Sequence, residues 1–464
     1  MAFGRIGASL LAYCEKSNVH GLKYVVAKHH HWSERSLWWL LCTASWSAAL
    51  VALASTIGFY ADSTPVAITV DTADRDWITP YPAIGICSAS SQSAKDRAAS
   101  IIERSANGTL AAGNARGLSE QLFLPSRMGY VKQLERLDLP AELYLAINDK
   151  VKPKCDESLT SCKWLGVEFD CCAEFSHLQT SVGHCLLLNS VHARSTLDFR
   201  VDSRSSSGIG SIGLEIGITH QYAKSNQDFR VYLLNSVEIP TLRTAEDRVL
   251  RNVGRSAGAT SAVQIDFNVV DLVNLAGVDR VSPEKRKCRF THENDALDDE
   301  RRRQPVYELY SYDGCTVDME IEAMSAACGC ASYVYPRSKI AACNMTGMRC
   351  CAELRRKSSS SWRMIDEAIG SCPADCRAAT YQWRAYPIVD DDNNSSKKQP
   401  INGSISFVGL RLRLLSWPRM RYQRYVARSS FDIFVLSGSS IGLFTGASIL
   451  SFVEIVYRIV AALC

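Results

Sequence analysis

The chain has 464 residues, a formal net charge of +4 and 18 cysteines. A balance so near neutral, with no basic stripe interleaved with aromatics, argues against nucleic acid as a partner. The length allows a large folded domain in addition to membrane spans.

Residues 1–36 read as a cytoplasmic segment, because Arg5, Lys16, Lys23, Lys28 and Arg35 outnumber Glu15 and Glu34. An uncharged run follows from Leu37 to Ala61, bounded by Arg35 and Asp62. It is long enough to cross ~30 Å of hydrocarbon. Trp38, Trp39 and Trp46 near its start and middle, and Tyr60 at its far end, suit an interfacial belt. A cleaved signal peptide is the competing reading. The long segment before the run, and a run exceeding the usual ~7–15 apolar residues, weigh against it.

Residues 62–430 are then extracellular. Residues 66–87 read as a strand-like entry, and 88–150 as a peripheral helical region with a helical patch at Met128–Leu139. Residues 155–189 are dense in cysteine. Between 197 and 275 alternation dominates: Leu214-Glu-Ile-Gly-Ile, Phe229-Arg-Val-Tyr-Leu and Val263-Gln-Ile-Asp-Phe have the period of half-buried strands. Ser203–Gly210 is a flexible loop. Residues 288–376 carry cysteines among helical stretches such as Val317–Ala327 and Trp362–Ile369. Strands return over 377–416, interrupted by the polar Asp390–Gln399 loop.

Most cysteines lie between Cys87 and Cys376, which suggests an oxidised, disulfide-stapled exterior. Sequons at Asn107, Asn344, Asn393, Asn394 and Asn402 fall in the same stretch and are candidate glycosylation sites.

A second apolar run, Ile433–Val453 and its flanks, defines a span over 431–460, with 461–464 returning to the cytoplasm. Its core, Gly442-Leu-Phe-Thr-Gly446-Ala-Ser448-Ile-Leu-Ser-Phe-Val-Glu454, sets small residues and then a carboxylate inside an apolar helix. Small residues let backbones approach and bring carbonyl and hydroxyl dipoles near an axis. An acid in a span is costly and should face water or a partner. A cation pathway accounts for both. The sequence holds no Gly-x-Ser-x-Gly elbow, His-Glu-x-x-His site or P-loop, so an enzyme is not expected. His177, His184, His192 and His220 are scattered and read as surface or packing residues.

Several signatures coincide along the chain. Val19-His20-Gly21-Leu-Lys-Tyr24 precedes the first span, and Pro80-Tyr-Pro-Ala-Ile-Gly-Ile-Cys87 follows it. Thr180-Ser-Val-Gly-His-Cys185-Leu-Leu-Leu-Asn189, Arg286-Lys-Cys288-Arg-Phe290, Cys328-Gly-Cys330, Tyr335-Pro336 and Cys372-Pro-Ala-Asp-Cys376 come next. Gly446-Ala-Ser448 and Glu454 close the set. Together they resemble the degenerin/epithelial sodium channel family, most of all its arthropod pickpocket branch, over nearly the whole chain.

The resemblance implies a membrane α+β protein: two transmembrane helices and a large disulfide-rich extracellular domain with a β-sheet core and a helical thumb-like region. It implies a trimer, homomeric or heteromeric with related subunits, in the plasma membrane, with both termini cytoplasmic. Lipid is its surround, an unidentified extracellular chemical or mechanical stimulus its gate, and Na+ its permeant ion. No cofactor or metal is expected, and amiloride should block it. Gly446, Ala447 and Ser448 would form the selectivity filter. Val435 and Leu436 would line a gate, and Glu454 would form a ring of carboxylates that concentrates cations. A hydrogen bond between helices is the simpler alternative for Glu454. His20 and Gly21 match a cytoplasmic gating element: Gly21 suits a tight turn, while His20 either titrates near neutrality or merely packs.

Family spacing implies the bridges Cys87–Cys185, Cys162–Cys172, Cys288–Cys376, Cys315–Cys372, Cys328–Cys350 and Cys330–Cys343. Either member of the adjacent pairs Cys171/Cys172 and Cys350/Cys351 could bond, and Cys155, Cys171 and Cys351 have no assigned partner. Zinc at Cys328-Gly-Cys330 is the weaker alternative in an oxidising setting. Met319 and Gly370 stand where the family has one further bridge. Leu436 replaces an acid of the outer pore, which keeps open a second function, a non-conducting accessory or receptor subunit.

Overall fold

The computed structural model describes residues 12–17, 19–27, 29–62, 66–72, 77–87, 92–105, 140–202, 212–219, 230–251, 261–294, 305–336, 338–354, 365–367, 369–389, 407–427 and 430–463. The expected helix at Met128–Leu139, the Ser203–Gly210 and Asp390–Gln399 loops, and Asn107, Asn393, Asn394 and Asn402 lie outside them. The chain forms two compact units. One takes residues 1–68, 275–286 and 424–464, the other 69–274 and 287–423.

The second unit is built on a sheet in which Ser261–Asn274, Phe407–Leu414, Ile212–Ile218, Leu159–Trp164 and Val167–Phe169 are successive neighbours and Ala378–Val389 pairs with Ser261–Asn274. Alternation sets its inner face. Val263, Leu410, Ile216 and Cys162 share one cross-strand row, and Ile265, Leu412, Leu214 and Trp164 the next. All but Trp164 are buried. The smaller sheet runs Val249–Arg251, Arg230–Leu234, Ala83–Cys87, Gly183–Leu188, Ser176–Thr180. Here the half-buried expectation needs correction. Val231 and Leu233 enter the main core and Tyr232 and Leu234 a second cluster, so both faces of Arg230–Leu234 are covered.

The helical part of this unit rests on the 17-residue helix Tyr312–Cys328. The Ser311 hydroxyl accepts the Gly314 N–H at 3.0 Å, and Gly329 ends the helix at φ 71°. Cys315, Met319, Ile321 and Met324 are buried, with Met348, Cys351 and Leu354 of Met345–Leu354 in the same cluster. Ala141–Val151 adds Tyr144, Ile147 and Val151, spaced as one helical face.

Among the described residues, seven disulfides join these elements. Cys87–Cys185 links two residues directly in register on neighbouring strands. Cys288–Cys376, Cys315–Cys372, Cys328–Cys350 and Cys330–Cys343 staple the helical part. The expected Cys162–Cys172 bridge is not formed. Cys162 pairs with Cys171, and Cys172 with Cys155. The cause is local geometry. Consecutive residues in the helical turn Cys171–Glu174 point in different directions. Cys171 is buried toward the sheet that holds Cys162, while Cys172 is exposed. Cys351 stays outside the bridges with its sulfur 3.6 Å from that of Cys343. Met319 is buried, and a Cβ built on Gly370 meets only backbone of Asp366 and Glu367 within 4 Å.

Candidate functional site

The site lies in the first unit. Its longest element is the 31-residue helix Trp32–Asp62, which starts before the expected Leu37. Leu40, Leu50 and Val51 are each more than 60% exposed along it. Exposed apolar side chains of this kind on a helix longer than ~20 residues belong in hydrocarbon. The helix Leu22–Val26 precedes it, and Tyr24 stacks on Trp38 with ring centroids 4.6 Å apart.

The second apolar run is not one helix, as the sequence suggested. Ser430–Thr445 and Ile449–Leu463 are separate helices, and their apolar parts meet at a 76° bend. The residues between them are Gly446, Ala447 and Ser448. Gly446 sits at φ 67° and its N–H closes the last turn on the Gly442 carbonyl at 2.8 Å. Only glycine takes this left-handed position without a Cβ penalty. Ser448 then caps the next helix. Its hydroxyl accepts the Ser451 N–H at 3.3 Å, and the Ser451 hydroxyl accepts the Ser448 N–H at 3.2 Å. This is a reciprocal capping arrangement built from two serines. Thr445 fills the gap: its hydroxyl donates to the Ile441 carbonyl at 2.7 Å and accepts the Ala447 N–H at 3.1 Å.

The His20-Gly21 turn docks on this break. The His20 N–H donates to the Thr445 carbonyl at 3.0 Å. A Cβ on Gly446 would overlap the His20 imidazole, and a Cβ on Gly21, at φ 85°, would overlap the Cys42 sulfur. Both glycines are therefore required by close approach as well as by backbone conformation. Ser45 of the long helix donates to the Phe444 carbonyl at 2.5 Å, and Tyr13 donates to the Ser451 carbonyl at 3.3 Å. The break is thus gripped by residues from three sequence-distant stretches. Sequence reasoning named His20, Gly21, Gly446, Ala447 and Ser448 but missed Thr445, Ser451, Ser45 and Tyr13. The Gly446 stop followed by Ser448-x-x-Ser451 was a readable helix end and restart.

The other expected residues are placed as follows. Val435 and Leu436 lie on the helix before the break and are 45% and 52% exposed. Glu454 lies on the helix after it and pairs with Arg458 one turn on at 2.9 Å. Asn344 is exposed, with its side-chain oxygen accepting the Gly347 N–H at 3.0 Å.

Among known proteins, the sequence family described as amiloride-sensitive sodium channel matches residues 13–458. The chain is similar to Pickpocket protein 19 of Drosophila melanogaster, 21% identical over 95% of this chain and 88% of that protein. It is also similar to the sodium channel protein Nach of Drosophila melanogaster, 22% identical over 96% of this chain and 85% of that protein. Nach of Drosophila virilis is 22% identical over 67% of this chain and 77% of its own length. With a match running from before the docked His20-Gly21 turn to Arg458, the chain belongs to the amiloride-sensitive sodium channel family.

Proposed function

We propose that this chain is a subunit of a trimeric, sodium-permeable channel of the plasma membrane, gated by an extracellular ligand or by force and blocked by amiloride. Residues 1–36 and 461–464 are cytoplasmic, and residues 62–430 are outside. The observation that carries the reading is the broken helix at Gly446, Ala447 and Ser448, buttressed by His20 and Gly21. A three-residue break between two helices, with Gly446 left-handed at φ 67°, interrupts the backbone hydrogen-bond ladder. In lipid such a stretch is tolerable only where it is buried or lines water. Three copies about an axis would make a ring of oxygens able to replace part of the hydration shell of a small cation. Glu454 would add carboxylates beneath it, tempered by Arg458 at 2.9 Å. Val435 and Leu436 would close the pore above by forming an apolar ring that dewets.

The test is to express the chain alone and record current while sodium is replaced by N-methyl-D-glucamine. A sodium-dependent inward current that vanishes on replacement, and is reduced by amiloride, is expected. Leu436, standing where the family carries an acid, supports the second reading of a non-conducting accessory subunit. That reading holds if the chain reaches the surface silent yet alters the current of a co-expressed relative.

A further inference from the structure

We propose that the pocket formed by Arg97, the end of the Ala141–Val151 helix, the Ser176–Thr180 strand and segment 305–336 binds an organic anion that carries an apolar body. The pocket encloses about 880 Å³, inside the ~300–1,000 Å³ range of small-molecule sites.

Its charge is one-sided. Arg97, Lys150, Lys152 and Lys154 line it, against Asp149 as the acid of the lining. Behind them Glu157 holds Arg97 at 3.4 Å and Lys154 at 3.3 Å. Lys150 and Lys152 make no ion pair among the described residues. Two ammonium groups facing one cleft repel each other, and an anion between them relieves that repulsion. Nearby His177 and His184, hydrogen-bonded to each other at 2.8 Å, add no positive charge near neutral pH, because desolvation and the Lys152 charge lower both below the ordinary imidazole value.

The rest of the lining is apolar. Leu178, Val306 and Pro336 contribute hydrocarbon, and Tyr307 commits its hydroxyl to the Gln179 carbonyl at 3.0 Å, so its ring is what it offers. A bare oxyanion fills only a small part of this volume and leaves that surface wet. An anion with an aromatic or aliphatic body satisfies both halves.

The walls are also fixed to one another. The Gln179 amide donates to the Val334 and Tyr335 carbonyls at 3.1 and 2.7 Å. The Asn148 side-chain amide donates to the Tyr333 carbonyl at 3.1 Å, while the Asn148 backbone carbonyl is bonded by His184 Nε2 at 2.9 Å. A site held by buried hydrogen bonds before the ligand arrives loses little affinity to ordering.

The test uses purified full-length protein in nanodiscs and isothermal titration, so its outcome is independent of whether the chain conducts. The probe is naphthalene-1-sulfonate, with naphthalene-1-sulfonamide as the neutral isostere and inorganic sulfate as the anion without a body. Saturable binding of the sulfonate is expected, with the sulfonamide and sulfate each at least about tenfold weaker and the sulfonate's affinity falling as salt rises. Lys150→Gln with Lys152→Gln should weaken the sulfonate about tenfold with the melting temperature unchanged. No saturable binding, equal binding of the sulfonamide, or full affinity in the double variant would overturn the proposal. The sulfonamide comparison decides it even if the double variant does not fold.

Discussion

The backbone N–H of His20 bonds the Thr445 carbonyl at 3.0 Å, and the His20 imidazole occupies the space that a side chain on Gly446 would need. A residue before the first apolar helix and one inside the second are therefore locked together at the point where the second helix breaks. Any movement of the break must move the His20-Gly21 turn or part from it.

Gly446→Ala tests this lock. The substitution strains a left-handed backbone position, costing about 1–2 kcal/mol, and drives a methyl into the imidazole. Surface-expressed Gly446→Ala is expected to lose most of its sodium current, with an altered sodium-to-potassium permeability ratio in what remains. Adding His20→Ala should restore part of the current, because the overlap is removed and only the backbone strain persists. If the single variant conducts with unchanged reversal potential, the lock does not govern the pathway.

Ser448 has two roles that separate by substitution. Ser448→Ala removes the acceptor for the Ser451 N–H and should cost about 1 kcal/mol of helix restart. It also removes one hydroxyl per subunit from the proposed filter. Ser448→Thr keeps an acceptor for the cap. Reversal potentials under sodium and potassium should therefore shift in Ser448→Ala and stay near wild type in Ser448→Thr. Equal shifts in both would mean that the side chain's bulk matters rather than its hydroxyl.

The paired cysteines give a chemical test of the fold. Cys172→Ser should leave Cys155 as a new thiol, and Cys171→Ser should leave Cys162. Alkylation of the non-reduced, denatured protein followed by peptide mass spectrometry distinguishes them. Cys162 labelled in Cys172→Ser would restore the pairing that the family resemblance implied.

What was legible in the sequence divides along physical lines. Strand alternation such as Val263, Ile265 and Phe267 is a local pattern and these residues sit on the inner face, but Gln264 and Asp266 between them are buried as well, so the strand is covered on both faces rather than half-buried. The bridges Cys288–Cys376 and Cys315–Cys372 followed from family spacing. The choice between Cys171 and Cys172 did not, because it depends on which way a single helical turn presents each residue to a sheet strand. The bend at Gly446–Ser448 was masked by continuous hydropathy, although its glycine stop and serine cap were present. The pocket around Lys150 and Lys152 was illegible, since its lining comes from stretches far apart in sequence. Acids raised by desolvation were invisible for the same reason: desolvation is a tertiary property.

Asp313 and Asp375 make the last of these measurable. Burial, reinforced by Glu238, pushes the Asp313 carboxyl up to about 7, and burial with Asp313 and Glu238 nearby pushes Asp375 up to about 8. Their ordinary value is 3.8. The sign follows from proton counting. Between the ordinary and the raised values the folded protein holds protons that the unfolded chain has released, so rising pH favours unfolding. Stability should decline as pH rises from about 4 to about 8 and level off above that. Each acid also accepts a backbone N–H, from Ile239 at 3.0 Å for Asp313 and from Tyr312 at 3.1 Å for Asp375. An asparagine oxygen can keep that bond while removing the charge. Asp313→Asn should therefore gain about 1–2 kcal/mol at pH 8 and little at pH 5. That gain corresponds to a melting temperature a few degrees higher at pH 8 for full-length protein in detergent. Asp375→Asn should behave alike, and the two gains should not add, because the Asp313 carboxyl helps raise that of Asp375. A variant no more stable than wild type at pH 8, or equally stabilised at pH 5, would show that these carboxyls are solvated and ionised in the fold.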